Sequence, residues 1–160
     1  MLKVFDVKNL KKTADEVDYE LEYISLEDTC CALYVNENSE VLLVKQFRPI
    51  IGLYSIEIPG GSKHKGEPVE DAVKREFHEE TGLVVKDLEF LYSFYLSVGT
   101  SDEKVHIYLV RDIIKKSPLI SSEKGVGPFW MDKIQCLKKI NNGEIFDAKT
   151  IIALQSIFIS

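Results

Sequence analysis

The sequence predicts a mixed α/β fold, with few helices packed on either side of a sheet. Two observations support this prediction. Most segments show the period-2 alternation or the short apolar runs that are typical of strands, and one central segment, residues 68–81, shows strong helical periodicity. With 160 residues, 45% of them hydrophobic, the chain is long enough to bury a sizeable core, and we expect a single domain over residues 1–160.

The first half of the chain is predicted to consist of strands. Residues 2–6 and 18–25 alternate polar and apolar side chains, and the charged segment 8–18 between them is expected to be a loop. Residues 30–35 and 41–47 are predicted to pair as a hairpin. The second of these strands begins with an apolar run, which is typical of a central strand covered on both faces.

The later elements are shorter and are separated by polar loops. One such loop is expected over residues 113–127, which are rich in Ser, Gly and Lys. Asp132 and Asp147 are suitable N-caps for two C-terminal helices. The other predicted elements are strands at Ser55–Ile58, within residues 83–98, at residues 105–110 and at residues 128–131.

The segment 68–81 is predicted to be an amphipathic helix that begins at Pro68 and ends at Gly82. At 100° per residue, its apolar side chains fall on one arc. Glu76 and Glu80 fall inside this buried arc, and Glu79 lies at its edge. The apolar members of the arc are Val69, Ala72, Val73 and Phe77.

Carboxylates on a buried helix face need a positive partner. An unpaired buried carboxylate costs several kcal/mol or becomes protonated, and the C-terminal end of a helix carries partial negative charge. Arg75 lies one turn before Glu79, but one guanidinium cannot balance all the acids of this segment. A divalent cation is therefore the predicted partner, with Glu76 and Glu80 as its primary ligands.

Composition excludes several classes of protein. The net charge of −6 disfavours a nucleic-acid polymer as the main partner. No apolar run is long enough for a membrane span, and the N-terminus lacks a signal-peptide pattern, so we expect a cytoplasmic protein. Three cysteines without CxxC spacing indicate neither a disulfide framework nor a zinc site.

The segment Gly61–Leu83 resembles the Nudix box, G-x5-E-x7-R-E-U-x-E-E-x-G-U, at every fixed position. The resemblance implies a Nudix fold, which is an α/β/α sandwich around a mixed sheet, with the box as a loop–helix–loop. It also implies a Mg²⁺ or Mn²⁺ requirement and hydrolysis of a nucleoside diphosphate linked to another group.

Four further segments resemble the ADP-ribose pyrophosphatase branch of this superfamily, whose patterns are Q-Y-R-P, E-L-P-A-G, S-x-G-x-S-D-E and N-G-E-I-x-D-A-x-T. They are residues 46–49, 56–61, 99–103 and 142–150. Two departures from the branch matter: Val98 replaces the expected proline before Gly99, and Gly60 replaces an alanine.

Further roles are expected around the metal site. The resemblance implies that the backbone carbonyl of Gly60 completes the metal site formed by Glu76 and Glu80. Glu79 is either a secondary metal ligand or an orienting base. Arg75 is expected to brace the loop–helix geometry by pairing with Glu67 or Glu79.

Three candidates lie outside the box. Glu103, on the loop after residue 98, is the candidate that positions or deprotonates the attacking water; the alternative is a solvent-facing acid. Arg48 is expected to contact the diphosphate or the terminal ribose, with an ordinary surface arginine as the alternative. Glu57 is expected either to accept hydrogen bonds from ribose or base, or to pair with Arg48.

The function that these features predict is Mg²⁺-dependent hydrolysis of ADP-ribose to AMP and ribose 5-phosphate. Another nucleotide sugar of the GDP-mannose type, an oxidised nucleoside triphosphate, and a nucleotide sensor without hydrolysis are the alternatives. In the ADP-ribose branch the segment equivalent to residues 1–25 exchanges between two subunits, so the resemblance implies a homodimer.

Overall fold

A computed structural model describes residues 6–115 and 127–158, which form nine strands and three helices. The elements are β1 (Asp6–Ala14), β2 (Val17–Ser25), β3 (Thr29–Leu33), β4 (Glu40–Arg48), β5 (Leu53–Glu57), β6 (Gly60–Ser62), α1 (Val69–Thr81), β7 (Val84–Tyr95), β8 (Lys104–Lys115), β9 (Gly127–Asp132), α2 (Lys133–Asn141) and α3 (Ala148–Phe158).

Two sheets form the body of the molecule. The first has the strand order β6-β3-β8-β7, in which β3 and β8 run parallel and the other neighbours run antiparallel. The second has the order β5-β4-β9 and is antiparallel throughout. The strands β4, β5 and β6 and the helix α1 together carry most of the predicted site residues.

Helices cover the sheets on both sides, because alternate residues of the central strands point to opposite faces. In β3, Cys30 and Ala32 pack into one buried cluster with Phe77 of α1. Cys31 and Leu33 pack into a second cluster, which includes Cys136 and Leu154 from the two C-terminal helices. The predicted α/β/α sandwich and the two-sided burial of β4 are therefore confirmed.

The prediction of a hairpin between residues 30–35 and 41–47 is wrong beyond its turn. Only Val35 and Val41 form a bridge, and the Leu42 N–H donates to the Tyr34 carbonyl. Farther from the turn, β3 pairs with β6 and β8, whereas β4 pairs with β5 and β9. The two strands separate because each is paired on both edges by strands from elsewhere in the chain.

The prediction of a loop over residues 8–18 is also wrong. β1 and β2 form a nine-residue antiparallel hairpin, in which Leu10 lies opposite Leu21. Asp15 and Glu16 form its two-residue turn with positive φ values of 49° and 65°, as in a type I′ turn. Of the strand predicted at residues 2–6, positions 2–5 lie outside the described residues.

The C-terminal predictions are mostly confirmed. Asp132 accepts a hydrogen bond from the Gln135 N–H at the start of α2, and Asp147 accepts one from the Thr150 N–H at the start of α3. Within the loop predicted at 113–127, residues 113–115 belong to β8 and residues 116–126 lie outside the described part. Within the described residues, no helix combines the length and the apolar character needed to cross a bilayer.

Candidate active site

The helix α1 presents the box carboxylates to the start of β6. Pro68 is its N-cap, and Gly82 ends it in the left-handed conformation with φ 72°. The Gly82 N–H donates to the His78 carbonyl over 2.8 Å. Ala72, Val73 and Phe77 are buried, as the helical periodicity predicts. The carboxylates of the last turn and a half therefore lie at the boundary between core and solvent.

Glu80 accepts hydrogen bonds from two groups outside α1. Its Oε2 accepts the Gly60 N–H at 2.9 Å, and its Oε1 accepts the side-chain amide of Gln46. Burial raises the pKa of Glu80 to about 7, against the lowering effect of these two hydrogen bonds. Both donors are neutral, so the ionised carboxylate is only partly compensated in this arrangement.

Glu76 lies against the backbone of Gly61. Its side chain is 14% exposed, and its Oε1 accepts a hydrogen bond from Arg75 Nη1 at 2.6 Å. A Cβ at Gly61 would lie 2.4 Å from Glu76 Oε2. Only glycine at this position therefore leaves room for the carboxylate in its present position.

Arg75 braces the loop of the box, as the sequence predicts. Its Nε and Nη2 donate to the two oxygens of Glu67 at 2.9 and 3.0 Å, and Nη2 also donates to the Ser62 carbonyl at 3.1 Å. The hydrogen bonds from Arg75 hold the pKa of Glu67 at about 2. Glu79, whose side chain is 56% exposed, lies 3.3 Å from Arg75 Nη1.

The donor chemistry of this region fits a hard divalent cation, because carboxylate oxygens are the ligands that Mg²⁺ and Mn²⁺ prefer. The incompletely compensated Glu80 carboxylate supplies one donor, and Glu76 lies one turn before it on α1. Over residues 6–115 and 127–158, no group of three or more His, Cys, Asp or Glu side chains is gathered as a metal site. Glu76 is instead paired with Arg75.

A second cluster of charges joins β4, β5 and the start of α3. Arg48 binds Glu57 in a bidentate manner, with Nε–Oε1 and Nη2–Oε2 distances of 2.6 and 2.5 Å. Lys149 Nζ donates to Glu57 Oε2 and to Asp147 Oδ1, each at 2.7 Å. Although burial raises the pKa of Glu57, Arg48 and Lys149 outweigh burial and hold it at about 2.

This cluster is attached to the backbone that enters the box. Asp147 Oδ2 accepts the Thr150 hydroxyl at 2.6 Å, and the Thr150 hydroxyl accepts the Ile58 N–H at 3.0 Å. Thr150 is fully buried. The α3 N-terminus thereby fixes Ile58, which directly follows β5 and lies two residues before Gly60.

Glu103 directly precedes β8 and lies beside the start of β3. Its Oε1 accepts the Thr29 hydroxyl at 2.6 Å, and Thr29 pairs with Ser62 across β3 and β6. The preceding residue, Asp102, accepts the Leu26 N–H and the Ser25 hydroxyl, each at 2.9 Å. The loop that carries Glu103 is therefore attached to the end of β2.

The structure brings the predicted residues into two clusters and one separate position. Glu76, Glu79, Glu80, Gly60 and Arg75 lie at the end of α1 and the start of β6. Arg48 and Glu57 pair with each other, which is the alternative that the sequence left open. Among the described residues, the hydrogen bonds of Glu103 join it to Thr29 and Ser101.

Three residues that bind the candidate side chains have no site role predicted from the sequence. They are Gln46, Thr29 and Lys149. Gln46 is a fixed position of the Q-Y-R-P pattern, so a signal for it was present, whereas Lys149 occupies an unspecified position within the segment 142–150. Thr29 lies outside the box and outside the four resembling segments, so no motif indicates a role for it.

Comparison with known proteins identifies the family. The NUDIX domain profile matches residues 26–151, and the chain belongs to the Nudix family. It is 32% identical to the ADP-ribose pyrophosphatase of Bacillus subtilis over 136 residues, which cover 84% of this chain and 74% of that protein. It is 27% identical to the methanol dehydrogenase activator of Bacillus methanolicus, over 96% of this chain and 87% of that protein.

The fold is shared with a solved structure described as an ADP compounds hydrolase. The two superpose with a TM-score of 0.74 at 19% sequence identity, covering 98% of this chain and 86% of the other. The predicted Nudix fold, the ADP-ribose pyrophosphatase-like branch and the enzyme class, a Nudix pyrophosphatase, are confirmed. Nudix hydrolases generally use divalent metal cations.

Proposed function

We propose that this chain hydrolyses ADP-ribose to AMP and ribose 5-phosphate with Mg²⁺, for which Mn²⁺ can substitute. The observation that carries the proposal is the pair Glu76 and Glu80 held against Gly60-Gly61 at the end of α1. The relatives named ADP-ribose pyrophosphatase in Bacillus subtilis and Escherichia coli support the choice of substrate.

In this proposal Glu76 and Glu80 hold the cation, with Glu79 and the carbonyl of Gly60 as further ligands. The bound cation would neutralise charge on the diphosphate. Arg75 does not bind substrate; its pairs with Glu67 and Glu76 keep the loop and the helix in register.

The other proposed residues act on the substrate and on water. Arg48 binds the diphosphate with its planar guanidinium, and Glu57, the partner of Arg48 before substrate binds, accepts hydrogen bonds from the nucleotide sugar. Glu103 orients the attacking water and accepts its proton, as the P–O bond between the two phosphoryl groups breaks. Proton transfer by Glu79 is the alternative.

Turnover by the purified chain tests this function. ADP-ribose, GDP-mannose and an oxidised nucleoside triphosphate are each incubated with the enzyme and Mg²⁺, and the mononucleotide product is separated by chromatography. We expect AMP from ADP-ribose, and no turnover after removal of the metal by a chelator.

Two variants of α1 complete the test. Glu80→Gln is expected to abolish turnover and to retain the fold, as judged by thermal denaturation, because the amide cannot replace an anionic ligand. Glu70→Gln, at an exposed position of the first turn, is the matched control and is expected to be fully active. Full activity of Glu80→Gln would refute the metal assignment.

The remaining outcomes decide between the alternatives. Faster cleavage of GDP-mannose or of the oxidised triphosphate would change the substrate and keep the enzyme class. Binding of a nucleotide without metal-dependent turnover would identify a sensor.

We also propose that the chain is a homodimer of single-domain subunits that exchange residues 1–25, with a small-molecule nucleoside diphosphate and no nucleic-acid polymer as its substrate. The cytoplasmic location belongs to the same proposal. The exposed apolar residues of the β1–β2 hairpin support the dimer, because an uncovered apolar strand surface favours association.

A further inference from the structure

Glu57 is shared by two cationic side chains that differ in solvent exposure. Its side chain is 3% exposed, and it binds both Arg48 and Lys149. The Arg48 side chain is 42% exposed, whereas the Lys149 side chain is 12% exposed. One partner of Glu57 therefore faces solvent, and the other lies inside the protein.

Lys149 is fixed from two directions. Besides Glu57 it binds Asp147, whose second oxygen accepts both the N–H and the hydroxyl of Thr150 at the start of α3. Movement of Lys149 would break two charged hydrogen bonds in a buried place. Arg48, at the end of β4, has Glu57 as its described ion-pair partner and can rotate toward solvent.

The burial of the Glu57 carboxylate gives a physical reason for its two cationic partners, Arg48 and Lys149. If Arg48 were the only cation bound to Glu57, its departure would leave a nearly fully buried carboxylate without a counter-charge, at a large cost in free energy. With Lys149 in place, the carboxylate keeps one charged hydrogen bond after Arg48 departs. The departure of Arg48 then costs much less.

We propose that Lys149 is a positioning residue that keeps Glu57 paired while Arg48 transfers from Glu57 to the diphosphate of the substrate. This inference rests on the proposed function, in which Arg48 binds the diphosphate. Arg48 exchanges one anionic partner for another, and no proton or covalent bond changes. Lys149 thereby determines affinity for the substrate and leaves the chemical step unaffected.

The matched test is a double-mutant cycle on KM. Lys149→Met removes the charge at similar length, so that Glu57 retains Arg48 more strongly. We expect KM to rise about tenfold, the size of one charged hydrogen bond, with kcat within about twofold of the wild-type value. In a Glu57→Gln background, where no carboxylate holds Arg48, Lys149→Met should leave KM unchanged.

A second variant separates positioning from general destabilisation. Lys149→Arg keeps the charge and should restore KM to within about threefold of the wild-type value. Two results would overturn the inference. In the first, Lys149→Met lowers kcat and raises KM by the same factors in the wild-type and Glu57→Gln backgrounds. In the second, Lys149→Met leaves KM unchanged in the wild-type background. Thermal denaturation of every variant confirms that folded proteins are compared.

The inference and the proposed function fail in different ways. A wild-type chain that cleaves no member of the substrate panel refutes the function. The cycle is then measured as the affinity for ADP, by calorimetry, which needs no turnover. The role of Lys149 is supported if Lys149→Met weakens ADP binding tenfold in the wild-type background and has no effect in the Glu57→Gln background. It is overturned if Lys149→Met leaves the affinity for ADP unchanged in the wild-type background.

Discussion

Two adjacent glycines at the entrance of the box have different steric roles. A Cβ at Gly60 would lie 2.5 Å from the Cys30 carbonyl oxygen and 2.7 Å from the Cα of Cys31, both of which belong to the backbone of β3. A Cβ at Gly61 would instead meet the carboxylate of Glu76, the mobile end of a side chain. The alanine that the branch pattern has at position 60 therefore does not fit this chain.

These contacts predict opposite effects of two alanine substitutions. Gly60→Ala should lower the free energy of unfolding by about 1–3 kcal/mol, because strand backbone must move. Gly61→Ala should leave the unfolding temperature nearly unchanged and reduce Mg²⁺-dependent turnover about 10- to 100-fold, because the Glu76 carboxylate is displaced. Each variant is the control for the other in thermal denaturation and turnover assays. A Gly61→Ala protein that loses stability and keeps its turnover would contradict the assignment of Glu76.

The buried Glu57 predicts a pH dependence of stability. Arg48 and Lys149 overcome the effect of burial and hold its pKa at about 2, below the value of about 4.3 for an unfolded glutamate. A carboxyl with a lowered folded-state pKa stabilises the protein above the unfolded pKa. This contribution is lost as the pH falls from about 4.3 toward 2.

Urea denaturation at a series of pH values measures this effect. The difference in unfolding free energy between the wild type and Glu57→Gln should be greatest at pH 6 and should shrink by about 2–3 kcal/mol by pH 2.5. Glu37→Gln, at an exposed position, is the control and should follow the wild type. A difference that does not vary with pH would contradict the ion-pair assignment.

Among the connecting segments, the loop before β8 is held by the N-terminal hairpin. Besides the two hydrogen bonds to Asp102, the Ile24 N–H donates to the Thr100 carbonyl at 2.8 Å. Asp102→Ala removes both side-chain bonds and should lower kcat about five- to tenfold, because Glu103 loses its fixed position next to Thr29.

The unfolding temperature should change little in Asp102→Ala, because this side chain is exposed. Asp112→Ala is the matched control, since Asp112 is an exposed aspartate of β8 that pairs with Lys86. Its kcat should equal the wild-type value. Equal kcat values for the two variants would show that the attachment to β2 does not position Glu103.

Elements with local signals could be predicted, and those that depend on distant partners could not. The periodicity and caps of α1 lie within its own residues, so its bounds follow from the sequence. β1 is held by backbone pairing and its residues are almost all exposed, so no burial pattern marks it. The partners of β3 lie about 30 and 75 residues further along the chain, beyond what a local hairpin pattern can indicate.

The same reasoning applies to the site. The carboxylates of α1 follow from helical phase, and their spacing is visible in the sequence. The contact of Lys149 with Glu57 joins residues 92 positions apart, so only the fold brings them together. Lys149 occupies an unspecified position of the family pattern, so the pattern indicates neither a role for Lys149 nor the residue that it binds.

At the level of the whole molecule, the β1–β2 hairpin has one apolar face. Alternation and register place four of its exposed apolar residues on the same side of the two strands. They are Leu10, Val17, Tyr19 and Leu21, which are 37%, 51%, 48% and 40% exposed. Leu10 and Leu21 also line a cavity of about 400 Å³ against the loop 98–102. A single subunit therefore leaves this face open to a second copy.

Light scattering tests whether a second subunit covers this face. The wild type is expected to have twice the mass of one chain. Leu21→Asp places a charge on the apolar face and should shift the population to monomer at micromolar concentration, because burial of an unpaired carboxylate at the interface is unfavourable. Asn9→Asp introduces the same residue on the opposite face of the hairpin and should remain dimeric. A monomeric wild type, or equal masses for the two variants, would refute an interface on the apolar face.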